Sequence, residues 1–89
     1  FDWGTDRGPD GMAIDRKGRL FVTAGFNFPK PPAETNEQYK AGVYIFSSGG
    51  DLLDFVAVPA DMITNCTFGG DDGNTLYVTA GHKLWTLSF

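Results

Sequence analysis

Eighty-nine residues with a formal net charge of -4, 42% of them hydrophobic and 20% charged, describe one small globular domain and not a disordered chain. Lys and Arg are not clustered among the aromatics, which argues against a grip on nucleic acid, and no apolar run approaches the roughly 20 residues that span a bilayer. A chain this short buries only about 60 to 65% of its unfolded surface, so a soluble protein with a thin core is expected, and self-association would help it.

In chain order the segments read as strands separated by turns. "FDWG", Phe1 to Gly4, is a candidate outer strand. "GPDGMAID", Gly8 to Asp15, begins with a Pro-Asp-Gly turn signal and continues as a short strand. Arg16-Lys17-Gly18 is a hairpin-length connection to "RLFVTAG", with glycine available for positive φ. The polar, proline-bearing segment Phe26 to Ala41 follows, and within it "PPAETNEQYKA" is suited to one or two helical turns begun at proline. "GVYIF" and "LLDFVAVP" are strands joined through Ser48-Gly49-Gly50, and "TNCTFGG", "TLYVTAG" and "KLWTLSF" complete the chain. The expected fold is all-β, with neighbouring strands antiparallel.

An internal repeat organises these strands. Leu20-Phe21-Val22-Thr23-Ala24-Gly25 returns 56 residues further on as Leu76-Tyr77-Val78-Thr79-Ala80-Gly81. Each copy follows a short strand and an acidic, glycine-containing turn, and the pairing that counts the second turn as one residue longer sets Asp10 against Asn65. A period of 56 exceeds the roughly 40 to 45 residues of one propeller blade, and treating 26–41 as an insertion into the first copy restores the blade length. The chain therefore divides into blade one, about 9–59, and blade two, about 63–89, with 1–4 supplying an outer strand to this chain or to a neighbour. Two four-stranded antiparallel blades cannot close a ring, so partner blades are expected.

Several side chains carry candidate chemistry. Asp10 reads either as the corner of a turn or as a carboxylate at the head of an inner strand. Asn65, in the equivalent place, reads as a strand-edge cap or as a group whose amide carbonyl meets a metal-held water or a substrate. Asn65-Cys66-Thr67 also matches a glycosylation sequon, on a strand ill suited to it. Cys66 is the single cysteine, so no disulfide forms within the chain, and a small core residue is the better reading of it than a nucleophile. Asp15 and Asp71-Asp72 fall in hairpin turns at the far end of their strands from Asp10, and His82 falls in a tight turn.

The segments "PDGMAIDRKGRLFVTAG", "GVYIFSSGGDLLDFVAVP" and "TNCTFGGDDGNTLYVTAG" together resemble the C-terminal third of the gluconolactonase and regucalcin (senescence marker protein) family. That resemblance implies a six-bladed β-propeller that binds a divalent cation, commonly Ca²⁺, in its central channel and hydrolyses lactones or related esters. It also implies that Asp10, the aspartate of Pro-Asp-Gly-Met, is a metal ligand; in a hydrolase Asp10 is expected to assist catalysis, and Asn65, from its place in the repeat, is expected to join it at the metal. The family's glutamate ligand and its Pro-Asn-Gly asparagine have no counterpart here. One carboxylate cannot fill the roughly six to eight oxygen positions of Ca²⁺, so the site requires a completed ring. Either the remainder of a propeller or three copies in a closed head-to-tail ring would supply it, the trimer being favoured. If the loop 26–41 roofs the channel on the Asp10 side, Phe26, Phe28 and Tyr39 are the residues expected to touch a small-molecule lactone or ester. The competing expectation is a non-catalytic propeller module that binds a ligand or partner through the same face.

Overall fold

The structure, a computed structural model, describes residues 1–28 and 38–89. Among the described residues there are seven strands in two antiparallel sheets and no helix. The first sheet runs β1 (Met12–Ile14), β2 (Leu20–Ala24), β3 (Gly42–Phe46), β4 (Leu52–Ala57) in sequential order. The second runs β5 (Ile63–Gly69), β6 (Thr75–Ala80), β7 (Lys83–Ser88). This meander repeated twice, with β1 and β2 against β5, is the partial propeller expected of the repeat. The helical turns expected within the insertion lie outside the described residues.

Turn chemistry fixes the strand ends. Gly18 has φ +79°, and the Asp15 carboxylate accepts from the backbone N–H groups of Lys17 and Arg19, both at 2.9 Å, so the first hairpin closes around that side chain. Gly50 does the same work at φ +95° between β3 and β4, where Ser47 N–H donates to Asp51 O at 2.8 Å. The repeated Ala-Gly ends β2 and β6 alike, with Gly25 at φ +82° and Gly81 at φ +60°. Either glycine would be strained by a side chain there.

The core lies between the sheets. Phe21, Val43 and Ile45 of the first sheet meet Ile63, Cys66, Leu76, Val78 and Ala80 of the second, and all are at most 6% exposed. Val22, Ala24, Tyr44 and Phe46 point to the opposite face of the first sheet, where Trp3 covers them. Phe1 to Gly4 thus forms no strand in this chain. Asp6 N–H donates to Trp3 O at 3.2 Å and Gly4 stands at φ +65°, so the segment bends and places the Trp3 ring 5.5 Å from that of Tyr44. Burying an indole on an apolar sheet face outweighs pairing a short polar-flanked strand within one chain.

Candidate functional site

The Asp10 end of the molecule is built by β2. Asp10 stands two residues ahead of β1, yet its N–H donates to Thr23 O at 2.9 Å, so it continues the β1–β2 ladder as an inner-strand residue. Thr23 also holds the next residue from both sides: its hydroxyl accepts from Gly11 N–H at 3.0 Å and donates to Gly11 O at 3.1 Å. That clamp pulls Gly11 against β5. A side-chain carbon on Gly11 would lie 2.7 Å from Asn65 Cα and would collide with the Asn65 amide oxygen. Glycine is therefore required at this crossing, and its lack of a side chain brings the Asp10 backbone beside Asn65.

The pairing of Asp10 with Asn65 is displaced by one residue. Val22 opposes Met12 and Val78 opposes Cys66, so the connection spans 10 positions in the first copy and 12 in the second. Gly11, opposite Thr23, is the counterpart of Asn65, opposite Thr79. The acidic turn, two residues longer in the second copy, accounts for the difference. Asn65 remains exposed at the edge, with its side-chain oxygen accepting from Cys66 N–H at 2.8 Å and its side-chain NH₂ free among the described residues.

The Asp10 carboxylate is 42% exposed and faces Arg7, whose Nη2 lies 3.5 Å from Oδ2. Arg7 in turn lies over the Phe26 ring, 5.6 Å from its centroid, and its carbonyl accepts from Gly25 N–H at 2.8 Å. Sequence reasoning missed Arg7, Gly11 and Thr23; the recurrence of Thr in both copies of the repeat was the available signal for the last of these.

The three residues expected to touch a ligand separate. Phe26 is 3% exposed, buried beneath Arg7. Phe28 is 79% exposed but lies beside Phe55 and Ala57 of β4, the strand farthest from Asp10 in its sheet. Tyr39 joins the aromatic cluster of Phe1, Trp3 and Tyr44. The reason is the stem of the insertion: Asp61 accepts from Asn27 and Phe28 N–H at 2.7 and 3.0 Å, Asn27 accepts from Ala41 N–H, and Tyr39 O accepts from Phe26 N–H. These bonds hold the two ends of the loop together at the base of β3 and over the β4 residues beside it.

The residues present fit a cation only in part. Asp10 supplies a solvent-facing anionic oxygen, a suitable hard donor, and Asn65 an exposed amide against the neighbouring Gly11. Among the described residues no group of three His, Cys, Asp or Glu side chains is disposed to hold a metal ion. Cys66 is buried in the core and its Sγ–H points to Phe21 O at 3.5 Å; burial pushes its pKa up to about 11, so it is no thiolate nucleophile. His82 is exposed in its turn, and Asp15 is spent on its own hairpin and on Arg19, 2.6 Å away. Among the described residues no helix is long and apolar enough to cross a membrane.

Comparison with known proteins extends the geometry. Residues 1–82 match the family model described as SMP-30/Gluconolactonase/LRE-like region. Gluconolactonase of Zymomonas mobilis subsp. mobilis is 34% identical over 85 residues, which cover 94% of this chain and 19% of that protein. Regucalcin of Danio rerio is 38% identical over 74 residues, 83% of this chain and 21% of that protein, and regucalcin of Xenopus laevis 34% over 74 residues, 81% and 20%. The chain spans about a fifth of the length of these relatives.

Proposed function

Because this chain belongs to the SMP-30/gluconolactonase/LRE-like family, we propose that it contributes two blades to a ring that hydrolyses lactones or related esters with the help of a divalent cation, Ca²⁺ before others. The observation that carries this reading is the Gly11–Asn65 crossing, which brings the backbone next to the exposed Asp10 against the exposed Asn65 where β1 and β5 meet.

In this reading Asp10 offers a hard oxygen ligand and a proton acceptor for an attacking water. Asn65 offers its free NH₂ to a substrate hydroxyl. A divalent ion at such a place supplies Lewis-acid polarisation of the substrate carbonyl. The missing ligands come from other blades, either of a longer propeller or of two further copies of this chain. Two features support an assembly: the second sheet leaves Thr67, Tyr77, Thr79 and Leu84 around a shallow hollow of about 190 Å³, and Leu84 is 65% exposed. That face has the composition of a surface awaiting another sheet.

A second reading is favoured by Arg7. A carboxylate already facing a guanidinium has part of its charge answered, which suits a non-catalytic module that binds a ligand or partner through this face. Turnover of a sugar lactone with and without Ca²⁺ separates the two, read together with calcium binding by calorimetry. The hydrolase reading expects calcium-dependent turnover that falls at least about 100-fold in Asp10→Ala. Turnover unaffected by a chelator, or unchanged in that variant, contradicts it.

A further inference from the structure

The end of the molecule opposite Asp10 carries a second cleft that the proposed hydrolysis does not use. It has a volume of about 340 Å³ and opens between the β1–β2 turn and the β5–β6 turn. Both walls belong to this one chain. Small-molecule clefts begin at about this size, roughly 300 Å³, and are lined by aromatic side chains with a few placed polar groups.

Its floor is a cluster of three phenylalanines. The Phe21 and Phe68 rings meet edge to face at 4.8 Å, and Phe21 and Phe89 at 5.3 Å. Phe21 is buried beneath the other two, and Phe68 and Phe89 present ring surface for a further ring to pack upon. The rim carries Arg16, Lys17 and Arg19 beside Asp15. Arg19 is committed, bonded to Asp15 and lying over the Phe21 ring at 5.8 Å. Arg16 and Lys17 are exposed, and neither side chain is in an ion pair among the described residues. Arg16 reaches across the mouth, so that a side-chain carbon on Gly73 would sit 3.2 Å from its Nη2. Glycine at that position leaves the guanidinium room to lie over the opening.

We infer that this cleft binds a small planar aromatic carboxylate, its ring on Phe68 and Phe89 and its carboxylate on Arg16, with Lys17 nearby. The guanidinium fork matches a carboxylate in geometry as well as charge. Asp71 and Asp72, exposed on the turn that carries Gly73, set the charge of the ligand. Asp72 is already turned to Asn74 N–H at 2.9 Å, but two nearby carboxylates disfavour a multiply charged phosphate and leave a monoanion as the fitting guest.

The test is a titration of the whole chain with naphthoate, followed by backbone amide shifts in NMR, with naphthamide as the uncharged isostere. Saturable shifts confined to Arg16–Arg19, Gly73 and Asn74 are expected, with a dissociation constant on the order of 1 mM. Arg16→Gln, an exposed substitution that leaves the fold intact, should weaken naphthoate about fivefold and leave naphthamide unchanged, and Arg16→Lys should recover part of the loss. Equal binding of naphthoate and naphthamide overturns the inference. So do shifts centred on Tyr77 and Leu84, unaltered affinity in Arg16→Gln, or no saturable shift.

Discussion

The two copies of the repeat share one sequence and bury opposite faces of it. In β2, Phe21 and Thr23 turn toward the other sheet, while Val22 and Ala24 lie beneath Trp3 on the back. In β6 the even-numbered residues Leu76, Val78 and Ala80 fill the shared core, and Tyr77 and Thr79 face outward. Two like sheets stacked front to back must do this, because the front of one meets the back of the next. Each sheet therefore needs apolar residues on both faces, which is why neither strand alternates cleanly between apolar and polar. The arrangement also leaves one back and one front unmatched, the first covered by Trp3 and the second open.

Substitutions at paired positions break or sharpen that comparison. Leu76→Ala removes a residue that is 0% exposed in the shared core and should cost about 2–5 kcal/mol by urea denaturation. Its counterpart Leu20→Ala, half-buried on the back face, should cost only about 1 kcal/mol. Comparable losses would mean that the back face is as much a core as the front. Gly11→Ala drives a carbon into Asn65 and should cost about 1–3 kcal/mol. Gly8→Ala meets nothing within 4 Å and should be neutral or stabilising by a few tenths to about 1 kcal/mol. Thr23→Val leaves the Gly11 N–H and carbonyl without their hydroxyl and should cost about 1–3 kcal/mol. Thr79→Val, at the exposed equivalent, should stay within about 0.5 kcal/mol, although its hydroxyl also reaches Asn65 O at 3.3 Å.

The smallest effect is a titration. Burial raises Cys66 from 9.0 to about 11, and raises Tyr44, aided by the negative charge of Asp6, from 10.0 to about 12. Both groups are held protonated in the fold, so between the unfolded and folded values the native state binds more protons and stability falls as pH rises. Unfolding free energy should be level up to about pH 9 and then decline, first through Cys66 in the shared core and then through Tyr44 on the back face. In Cys66→Ala the decline should begin about one pH unit later, where Tyr44 takes over. A curve of unchanged shape would show that Cys66 is not buried as described.

Much of the fold was legible in the sequence because its signals are local. Glycines at Gly18, Gly50 and Gly81 mark real positive-φ turns, and the β-branched and aromatic runs became the strands around them. The repeat disclosed two like sheets, but not which face of each was inward, since that depends on what stacks against it. The inner edge was half legible. Asp10 does join the β1–β2 ladder, yet its match to Asn65 slipped by one because the second turn is longer by two residues and not by one, which a linear pairing does not reveal. Phe26 and Tyr39 were placed at the channel by loop position alone; Asp6, whose Oδ2 accepts from Tyr39 N–H at 2.5 Å, and Asp61 redirect the loop ends by bonds that span more than 30 residues.

We propose that this chain presents one front and one back of a stacked series and closes its ring, and with it a complete Asp10 site, by assembling with two further copies of itself. Light scattering of the isolated chain at micromolar concentration tests it most directly. A particle of three times the 9.7 kDa chain mass is the result this account predicts, and a stable, folded particle of one chain mass would contradict it.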